Sequence, residues 1–383
     1  GDHRDLHSFL HDALPILAAL LCATLMFSQA NVNDVKQNGL SNDADIYQNG
    51  GWNDSSSEQT GNYNMVDVDQ RGYVNTSEAY QSGTYNDAKV VQGLAVSSNN
   101  SAYVDQSGDF NTSRQTQMLN DNDATTYQDG TGNYAKQTQF GTWTLGGNSA
   151  FIDQYASTYS DARQYQTGFG NNASATQWDN EQRSLQIQFG ADNDASVMQD
   201  NQGNAGNDAF QKQVGTGNSA WARQNWLADW SGTDDNSGAN MSNQQQFGDN
   251  NAAYVSQDRF KYGAFSTAAG SENYDLVDPT STMSKGNEAY QTQFGADHRA
   301  YSHQSGLENK SVQDQMGVGS FSFMQQDGEQ NQAYDTQMGF FHRSGVYQQG
   351  DFNYSVVDQT GNLQNSRVSQ VGTSNVSNVH QQN

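Results

Sequence analysis

Residues 326–359 read QDGEQNQAYDTQMGFFHRSGVYQQGDFNYSVVDQ, and glutamine returns in this stretch at every eleventh position. The neighbours of each glutamine also repeat, with glycine two residues later, asparagine usually five residues later, and alanine or serine seven residues later. Followed outward with a few longer steps, this spacing defines 31 positions from Gln37 to Gln381, and only Asp235, Ala268 and Thr282 are not glutamine. Self-similarity at a short fixed period predicts a repeat architecture. Because a catalytic site needs unique residues in unique places, the repetition favours an assembly function.

The seven residues from each asparagine to the next glutamine alternate in character. In residues 148–154, for example, Asn148, Ala150, Ile152 and Gln154 share one face, and this period of two predicts a β-strand. The inward face is then asparagine, a small residue, a β-branched residue or glutamine, and glutamine. The four residues between strands carry the glycine, which permits the positive φ that a tight turn needs. All insertions fall between a glutamine and the next asparagine, as expected for a turn.

A seven-residue strand cannot bury a face alone, but two facing strands with further pairs stacked on them can. The residue that opens each strand alternates towards the C-terminus, from His298 to Asn309 and from Ser320 to Asn331, so odd and even strands are predicted to be different elements. The sequence therefore predicts an all-β fold, a parallel two-sheet β-solenoid with β-arch rungs of about 22 residues. The 31 strands would give 15.5 rungs and a rod roughly 75 Å long. Such a stack of strands is also predicted to form cross-β fibres.

The repeated amides give this solenoid its predicted stabilising interaction. Asparagine and glutamine side chains stacked about 4.8 Å apart can hydrogen-bond along the axis, which satisfies groups that would be costly to bury alone. The predicted ladder and core residues are Gln166, Asn171, Ala173, Gln177, Gln293, Gln304, Gln315, Gln326, Asn331, Gln337, Gln348, Asn353, Gln359, Gln370 and Gln381. The predicted turn residues are Gly168, Gly295, Gly306, Gly317, Gly328, Gly339, Gly350, Gly361 and Gly372.

Composition excludes several other classes of protein. Only 33% of the residues are hydrophobic and the mean hydropathy is -0.89, which alone would indicate disorder, but a disordered chain does not hold a strict period. Proline, which cannot donate to a β ladder, occurs only twice. The net charge of -25 repels nucleic acid and anionic lipid, so we expect neither as a partner and no membrane insertion. The single cysteine, Cys22, excludes an intrachain disulfide.

The chain divides into three predicted regions. Residues 14–27 are apolar but too short to span a bilayer, and Ser28, Gln29 and Ala30 form a small-x-small cleavage pattern, so residues 14–30 are predicted to be a signal peptide. Residues 1–13 lack a basic start and are interpreted as a non-native or artefactual leader. Residues 31–383 form the predicted solenoid, with an irregular segment at 258–286.

Across a full rung the pattern reads S-x5-Q-x-G-x-x-N-x-A-x-x-x-Q. One complete instance is Ser160, Gln166, Gly168, Asn171, Ala173 and Gln177. This pattern resembles the curlin repeat, and over residues 31–381 the chain is similar to major subunits of curli fibres, although it is longer than familiar members. The resemblance implies a subunit of an extracellular functional amyloid at the bacterial cell surface, in the biofilm matrix. It also implies export through an outer-membrane pore and nucleation by a minor subunit.

Both ends of the predicted solenoid match the repeat interior, so neither is capped. Open edges recruit further strands, and an odd strand count would leave half a rung for a second copy to complete. We therefore expect head-to-tail self-assembly through edge residues Asn31, Asn33, Val35, Gln37, Asn375, Ser377, Val379 and Gln381.

Other functions and sites are weaker alternatives. A monomeric β-solenoid adhesin or ligand-binding protein fits the fold, but an ice binder would need a regular outward threonine array. An enzyme acting on polysaccharide would need a unique charged cluster, and residues 258–286 offer none, so no catalytic residue, metal or cofactor is predicted. His298, His303, His342 and His380 are interpreted as surface residues. Outward aromatic residues are expected to pair across strands within a sheet, with an adhesive stripe as the alternative.

Overall fold

A computed structural model describes residues 30–93, 98–142, 146–200, 206–224, 238–257 and 284–383. The predicted leader, nearly all of the predicted signal peptide and most of the irregular segment lie outside these residues. Every regular element within them is a β-strand, and none of the described residues belongs to a helix that could cross a bilayer. The strands are β1 (Val32–Asn38), β2 (Asp43–Gly51), β3 (Asp54–Asn62), β4 (Met65–Tyr73), β5 (Thr76–Thr84), β6 (Asp87–Gln92), β7 (Ser101–Asp109), β8 (Thr112–Met118), β9 (Asp123–Thr131), β10 (Tyr134–Phe140), β11 (Ser149–Thr158), β12 (Asp161–Phe169), β13 (Asn172–Trp178), β14 (Arg183–Ala191), β15 (Asp194–Gln199), β16 (Asp208–Thr216), β17 (Ser219–Gln224), β18 (Met241–Asp249), β19 (Ala252–Gln257), β20 (Ser284–Lys285), β21 (Glu288–Ala296), β22 (Arg299–Leu307), β23 (Lys310–Val318), β24 (Phe321–Glu329), β25 (Gln332–Phe340), β26 (Arg343–Gln349), β27 (Tyr354–Asn362), β28 (Asn365–Val371) and β29 (Val376–Gln382).

Successive strands alternate between two parallel sheets. The first sheet runs β1-β3-β5-β7-β9-β11-β13-β15-β17-β19-β22-β24-β26-β28, and the two-residue β20 pairs with β22 beside this path. The second sheet runs β2-β4-β6-β8-β10-β12-β14-β16-β18-β21-β23-β25-β27-β29. Each strand aligns with the strand one rung away, so Gln293 pairs with Gln315 and Gln304 with Gln326. This arrangement confirms the predicted all-β, two-sheet parallel solenoid with rungs of about 22 residues.

The predicted number of rungs is wrong. In the described part of the chain, 28 strands carry a ladder glutamine, 14 in each sheet, and they form about 14 rungs instead of 15.5. The first sheet passes directly from β17 to β19 and the second from β18 to β21, in unbroken register. The three repeat positions without glutamine, Asp235, Ala268 and Thr282, lie outside the described residues. At about 4.8 Å for each rung, the rod measures roughly 65 Å.

The space between the two sheets is filled mainly by small and amide side chains. Strand β21 shows the common pattern, in which alternate residues are buried and the residues between them are half-buried or exposed. The apolar residues of the described chain form several separate clusters instead of one continuous hydrophobic core. One cluster contains Val66, Val68 and Val90 with nearby alanines. Because alanine and valine leave little apolar surface to bury, hydrogen bonding between rungs contributes a larger share of the stability than in a conventional domain.

The corners differ in detail from the predicted four-residue turn. Gly295 remains in the β ladder opposite Gly317, so many strands are nine residues long instead of seven. The chain then reverses at the residue immediately before the asparagine position, which adopts a left-handed conformation in Tyr63, with φ 57°, and in Phe341, with φ 56°. The glycine has positive φ as well, 124° at Gly295, and the two residues together close the corner.

Candidate functional site: amide ladders and two open edges

The eleventh-residue glutamines form a continuous hydrogen-bonded column in each sheet. Gln139 Nε2 donates to Gln166 Oε1 at 2.9 Å, and Gln166 Nε2 donates in turn to Gln188 Oε1 at 2.9 Å. Every described bond of this kind points from the N-terminal rung to the C-terminal rung. The structure places ten of the predicted glutamines in the buried interior and leaves the last, on the final strand, partly exposed: Gln166, Gln177, Gln293, Gln304, Gln315, Gln326, Gln337, Gln348, Gln359 and Gln370 are buried, and Gln381 is half-buried.

The same amides also join the two sheets, a role that sequence analysis did not predict. The second hydrogen of Gln315 Nε2 is donated across the core to the carbonyl oxygen of Arg299 at 3.0 Å, and Gln337 Nε2 reaches Phe321 in the same way at 2.9 Å. One side chain therefore bonds along the axis and across it. The signal was present in the sequence, because a column uses only one of the two amide hydrogens and the other needs a buried acceptor.

The asparagines use both of their polar atoms to fasten the corner. Asn309 Oδ1 accepts from the backbone N of Asn331 at 3.0 Å and from its Nδ2 at 3.1 Å. Asn331 Nδ2 also donates to the carbonyl oxygen of Gly350 at 2.7 Å in the next rung. The predicted core residues Asn171, Asn331 and Asn353 all lie in such columns, and Ala173 is fully buried beside them.

Two histidines replace asparagine in these columns, and their interpretation as surface residues is wrong. His298 and His342 are completely buried. His298 Nδ1 accepts from the backbone N of Ser320 at 3.2 Å, while Nε2 lies 3.1 Å from the carbonyl oxygen of Phe294 and acts as the donor. The neutral imidazole thus supplies one acceptor and one donor where asparagine supplies an oxygen and an NH2 group. His303 is also buried, whereas His380 is exposed and pairs with Asp358 at 2.8 Å.

Burial makes the solenoid sensitive to acid at His298, because desolvation lowers the pKa of this imidazole. The folded state therefore holds His298 neutral while the unfolded chain takes up a proton, so stability is present above the ordinary pKa and declines as pH falls below about 6.5. We expect His298→Asn to weaken this decline, because asparagine fills the same column without titrating. Denaturation at pH 7 and pH 5 tests the prediction, with the exposed His380→Asn as control. Equal pH dependence in both variants would contradict it.

A second glutamine column occupies the middle of the second sheet. It runs through eight consecutive strands, β8 to β23 in that sheet, as Gln115, Gln137, Gln164, Gln186, Gln211, Gln244, Gln291 and Gln313. Sequence analysis noted glutamine among the inward residues but did not identify this ladder. The signal was a glutamine two positions before the repeat glutamine in each of these strands. The next residue in register after Gln313 is Asp335, a buried carboxyl group whose pKa burial raises to about 7.

The outward aromatic residues pair along the sheets, which confirms the favoured interpretation. The rings of Tyr254 and Tyr301 stack with centroids 5.0 Å apart, and those of Tyr103 and Tyr127 lie 5.2 Å apart at a tilt. Tyr301 is itself nearly inaccessible and belongs to a buried cluster with Phe321 and Phe323. Within the described ranges, no three His, Cys, Asp or Glu side chains come close enough together to hold a metal ion.

The predicted edge residues lie on strands that are paired on one side only. In the described chain β1 pairs with β3 and β29 pairs with β27. Gln37 Nε2 donates inward to Gln59 at 2.7 Å, while at the other end Gln381 Oε1 accepts from Gln359 at 2.8 Å. The remaining predicted edge residues are exposed or half-buried: Asn31, Asn33, Val35, Asn375, Ser377 and Val379.

Comparison with known protein families identifies the same repeat that the geometry of the rungs shows. A family model of the curlin associated repeat matches residues 39–72 and 64–93. These residues therefore carry curlin associated repeats. The matched residues contain the column Gln48, Gln70 and Gln92, which is bonded as in the rest of the solenoid, with Nε2 to Oε1 distances of 2.8 Å. No curated protein matches the chain.

Proposed function

We propose that this curlin-repeat protein is the structural subunit of an extracellular, curli-like amyloid fibre, corresponding to the major subunit. The repeats and the β-solenoid fold indicate a curli-type structural protein, and this family and fold are structural instead of enzymatic. The observation that carries the proposal is the outermost rung at each end of the described chain, which repeats the interior of the rod and is paired on one side only within the described residues. An uncapped solenoid edge exposes backbone groups that a further strand can satisfy.

The chemistry of the amide columns supports growth by addition of copies. All described Gln–Gln bonds run in one direction, from the N-terminal rung to the C-terminal rung. The outermost glutamines at the C-terminal edge therefore have a donor hydrogen that can point outward, and those at the N-terminal edge offer acceptor oxygens. A second copy added head to tail continues each column without changing its direction. Such an addition is heterologous and does not close, so it produces a filament.

The family and the charge support a cellular setting for this filament. We place the fibre in the biofilm matrix at the bacterial surface, with export through an outer-membrane pore and a nucleating minor subunit as partners. A net charge of -25 keeps unassembled chains apart, which favours growth on an existing end over random aggregation.

Electron microscopy and thioflavin fluorescence of the purified protein at neutral pH test the proposal. We expect unbranched filaments a few nanometres wide that also seed the growth of fresh protein. A chain that stays monomeric at high concentration, with or without seeds, would contradict a fibre function and favour the alternative of a monomeric binding solenoid.

Deletion of an edge strand should slow filament elongation far more than deletion of an internal rung. Removal of residues 31–37 or 375–381 destroys one end, whereas removal of residues 310–331 takes one strand from each sheet and leaves both ends and the register intact. Seeded elongation rates provide the measurement. Equal rates for edge and internal deletions would show that these strands do not form the growing surface.

A further inference from the structure

The edges of the solenoid specify how two copies join. We propose that β28 of one copy pairs with β1 of the next and β29 pairs with β2, so that each sheet continues into the same sheet of its neighbour. This inference rests on the proposed fibre function and names the register of its junction. The partner is a second copy of this chain.

The strand count decides which sheet meets which. Among the described strands both sheets contain the same number that carry a ladder glutamine, so each end of the described rod is a complete rung instead of the predicted half rung. If a second copy were turned by half a revolution about the axis, β1 would follow β29, and a strand-wide gap would remain above β28. Backbone N–H and C=O groups in that gap would be unpaired, which is costly in a buried position. Continuation of each sheet into itself leaves no gap.

The 22-residue register then fixes the facing residues. Gln37 lies over Gln370 and Gln48 over Gln381, so the donor amides of one copy meet the acceptor oxygens of the next. Asn42 lies over Asn375, which continues the asparagine column of the second sheet. The exposed Val35 comes to rest on Val368, and the half-buried Ile46 on Val379, so both ends bury apolar side chains that a single copy leaves partly in water.

Charge complementarity supports the same register. Asp34 faces Arg367 across the junction, on the outer surface of the first sheet. Arg367 is exposed and has no ion-pair partner among the residues that the structure describes. Within one copy, pairs one rung apart at equivalent register do form ion pairs, as Lys310 and Glu288 show at 3.3 Å. The junction repeats an arrangement that the rod already uses.

Gly372, the last in a row of stacked corner glycines, supplies a second test. An ideal Cβ on Gly350 would lie 2.3 Å from the carbonyl oxygen of Gly372 in the next rung, whereas a Cβ on Gly372 itself meets only Asn375 Nδ2 at 3.6 Å. In the proposed junction the carbonyl of Gly39 from the next copy covers Gly372. Gly372→Ala is therefore expected to leave the single rod folded and to block its elongation. The matched control is Gly146→Ala, because Gly146 also has positive φ, 91°, and nothing lies within 4 Å of its Cβ.

Seeded elongation of the purified full chain separates the register from the fibre function. We expect Asp34→Arg and Arg367→Asp each to slow elongation by about five- to tenfold through like-charge contact, and the double variant to recover most of the rate. Asp45→Arg is the control, because Asp45 faces the uncharged Asn378 in this register and makes no charge pair across the junction. Circular dichroism confirms that each soluble variant is folded.

The outcomes distinguish two failures. If the unmodified protein forms no filament, the proposed function fails and the junction with it. If filaments form but the double charge reversal does not recover, or Asp45→Arg is as damaging as Asp34→Arg, the junction is wrong while the fibre function stands. Elongation of Gly372→Ala at the rate of Gly146→Ala would also overturn the junction.

Discussion

Replacement of Gly317 by alanine is expected to disrupt the rungs on both sides of it. Gly317 has φ 124°, a conformation that an alanine adopts only with strain, and its added Cβ would lie 1.9 Å from the carbonyl oxygen of Gly339. The colliding atom belongs to the backbone of the next rung, so no side chain can move aside. The two strands would have to separate, which breaks the ladder hydrogen bonds beside the glycine. We expect a loss of more than about 4 kcal/mol, the range in which substitutions are exceptional.

Chemical denaturation measures the global effect of Gly317→Ala, and amide hydrogen exchange shows where it acts. Because each rung of a solenoid contacts only its neighbours, protection should fall in β21, β23 and β25 before it falls in β3 and β5. Gly146→Ala is the control, since it carries the cost of positive φ without the collision. If the two variants lost similar stability, the close approach of stacked glycines would not be what constrains this position.

The sequence was sufficient to predict the strands in which the asparagine and glutamine positions repeat regularly. Alternation between asparagine and glutamine predicted strands, and the alternating opening residues predicted that His298 and Asn309 belong to different sheets, as they do. These predictions succeed because a strand has a side-chain period of two, and because amide side chains stacked at equal register can hydrogen-bond from rung to rung.

Strand number and histidine burial were predicted incorrectly for a common physical reason. Spacing predicts a strand even where the glutamine is absent, but the two glutamine columns pass directly from Gln213 to Gln246 and from Gln224 to Gln257. His298 opens a strand with no carboxylate constellation beside it, which suggested a surface histidine, although its ring offers the donor and acceptor that the column requires. In both cases the hydrogen-bonding role of the residue decides its place, and its position in the repeat alone does not.

Asp335 is expected to make the solenoid less stable as pH rises, and Asp335→Asn to remove that loss. The carboxyl group is buried, one rung after Gln313 and in register with Val357, a member of an apolar cluster in the next rung. Neither carboxyl oxygen has a hydrogen bond of good geometry within the described chain. A carboxylate in such surroundings is costly to ionise, and burial raises the pKa to about 7.

The charged and polar groups around Asp335 fix the direction of the effect. Asp314 and Asp358, on the strands to either side, raise the pKa further, while the nearby Ser322 and Ser344 hydroxyls lower it without offsetting burial. The folded state keeps the proton while the unfolded chain releases it near pH 3.8, so stability falls between about pH 4 and 7 and stays reduced above that. At about 1.4 kcal/mol for each pKa unit, the penalty at pH 8 is roughly 4 kcal/mol.

Denaturation of the protein and of Asp335→Asn across pH 4 to 8 measures this penalty directly. Asparagine keeps the shape of the side chain and does not ionise, so we expect the variant to be more stable at pH 8 and nearly unchanged at pH 4. Asp358→Asn, on the outer face of the neighbouring strand, is the control and should give a much smaller gain. His298 opposes this trend below its ordinary pKa of about 6.5, so the two buried groups offset each other in part there, and the loss of stability at Asp335 acts alone above it. A variant whose stability curve stays parallel to that of the unmodified protein would show that Asp335 does not titrate in this range.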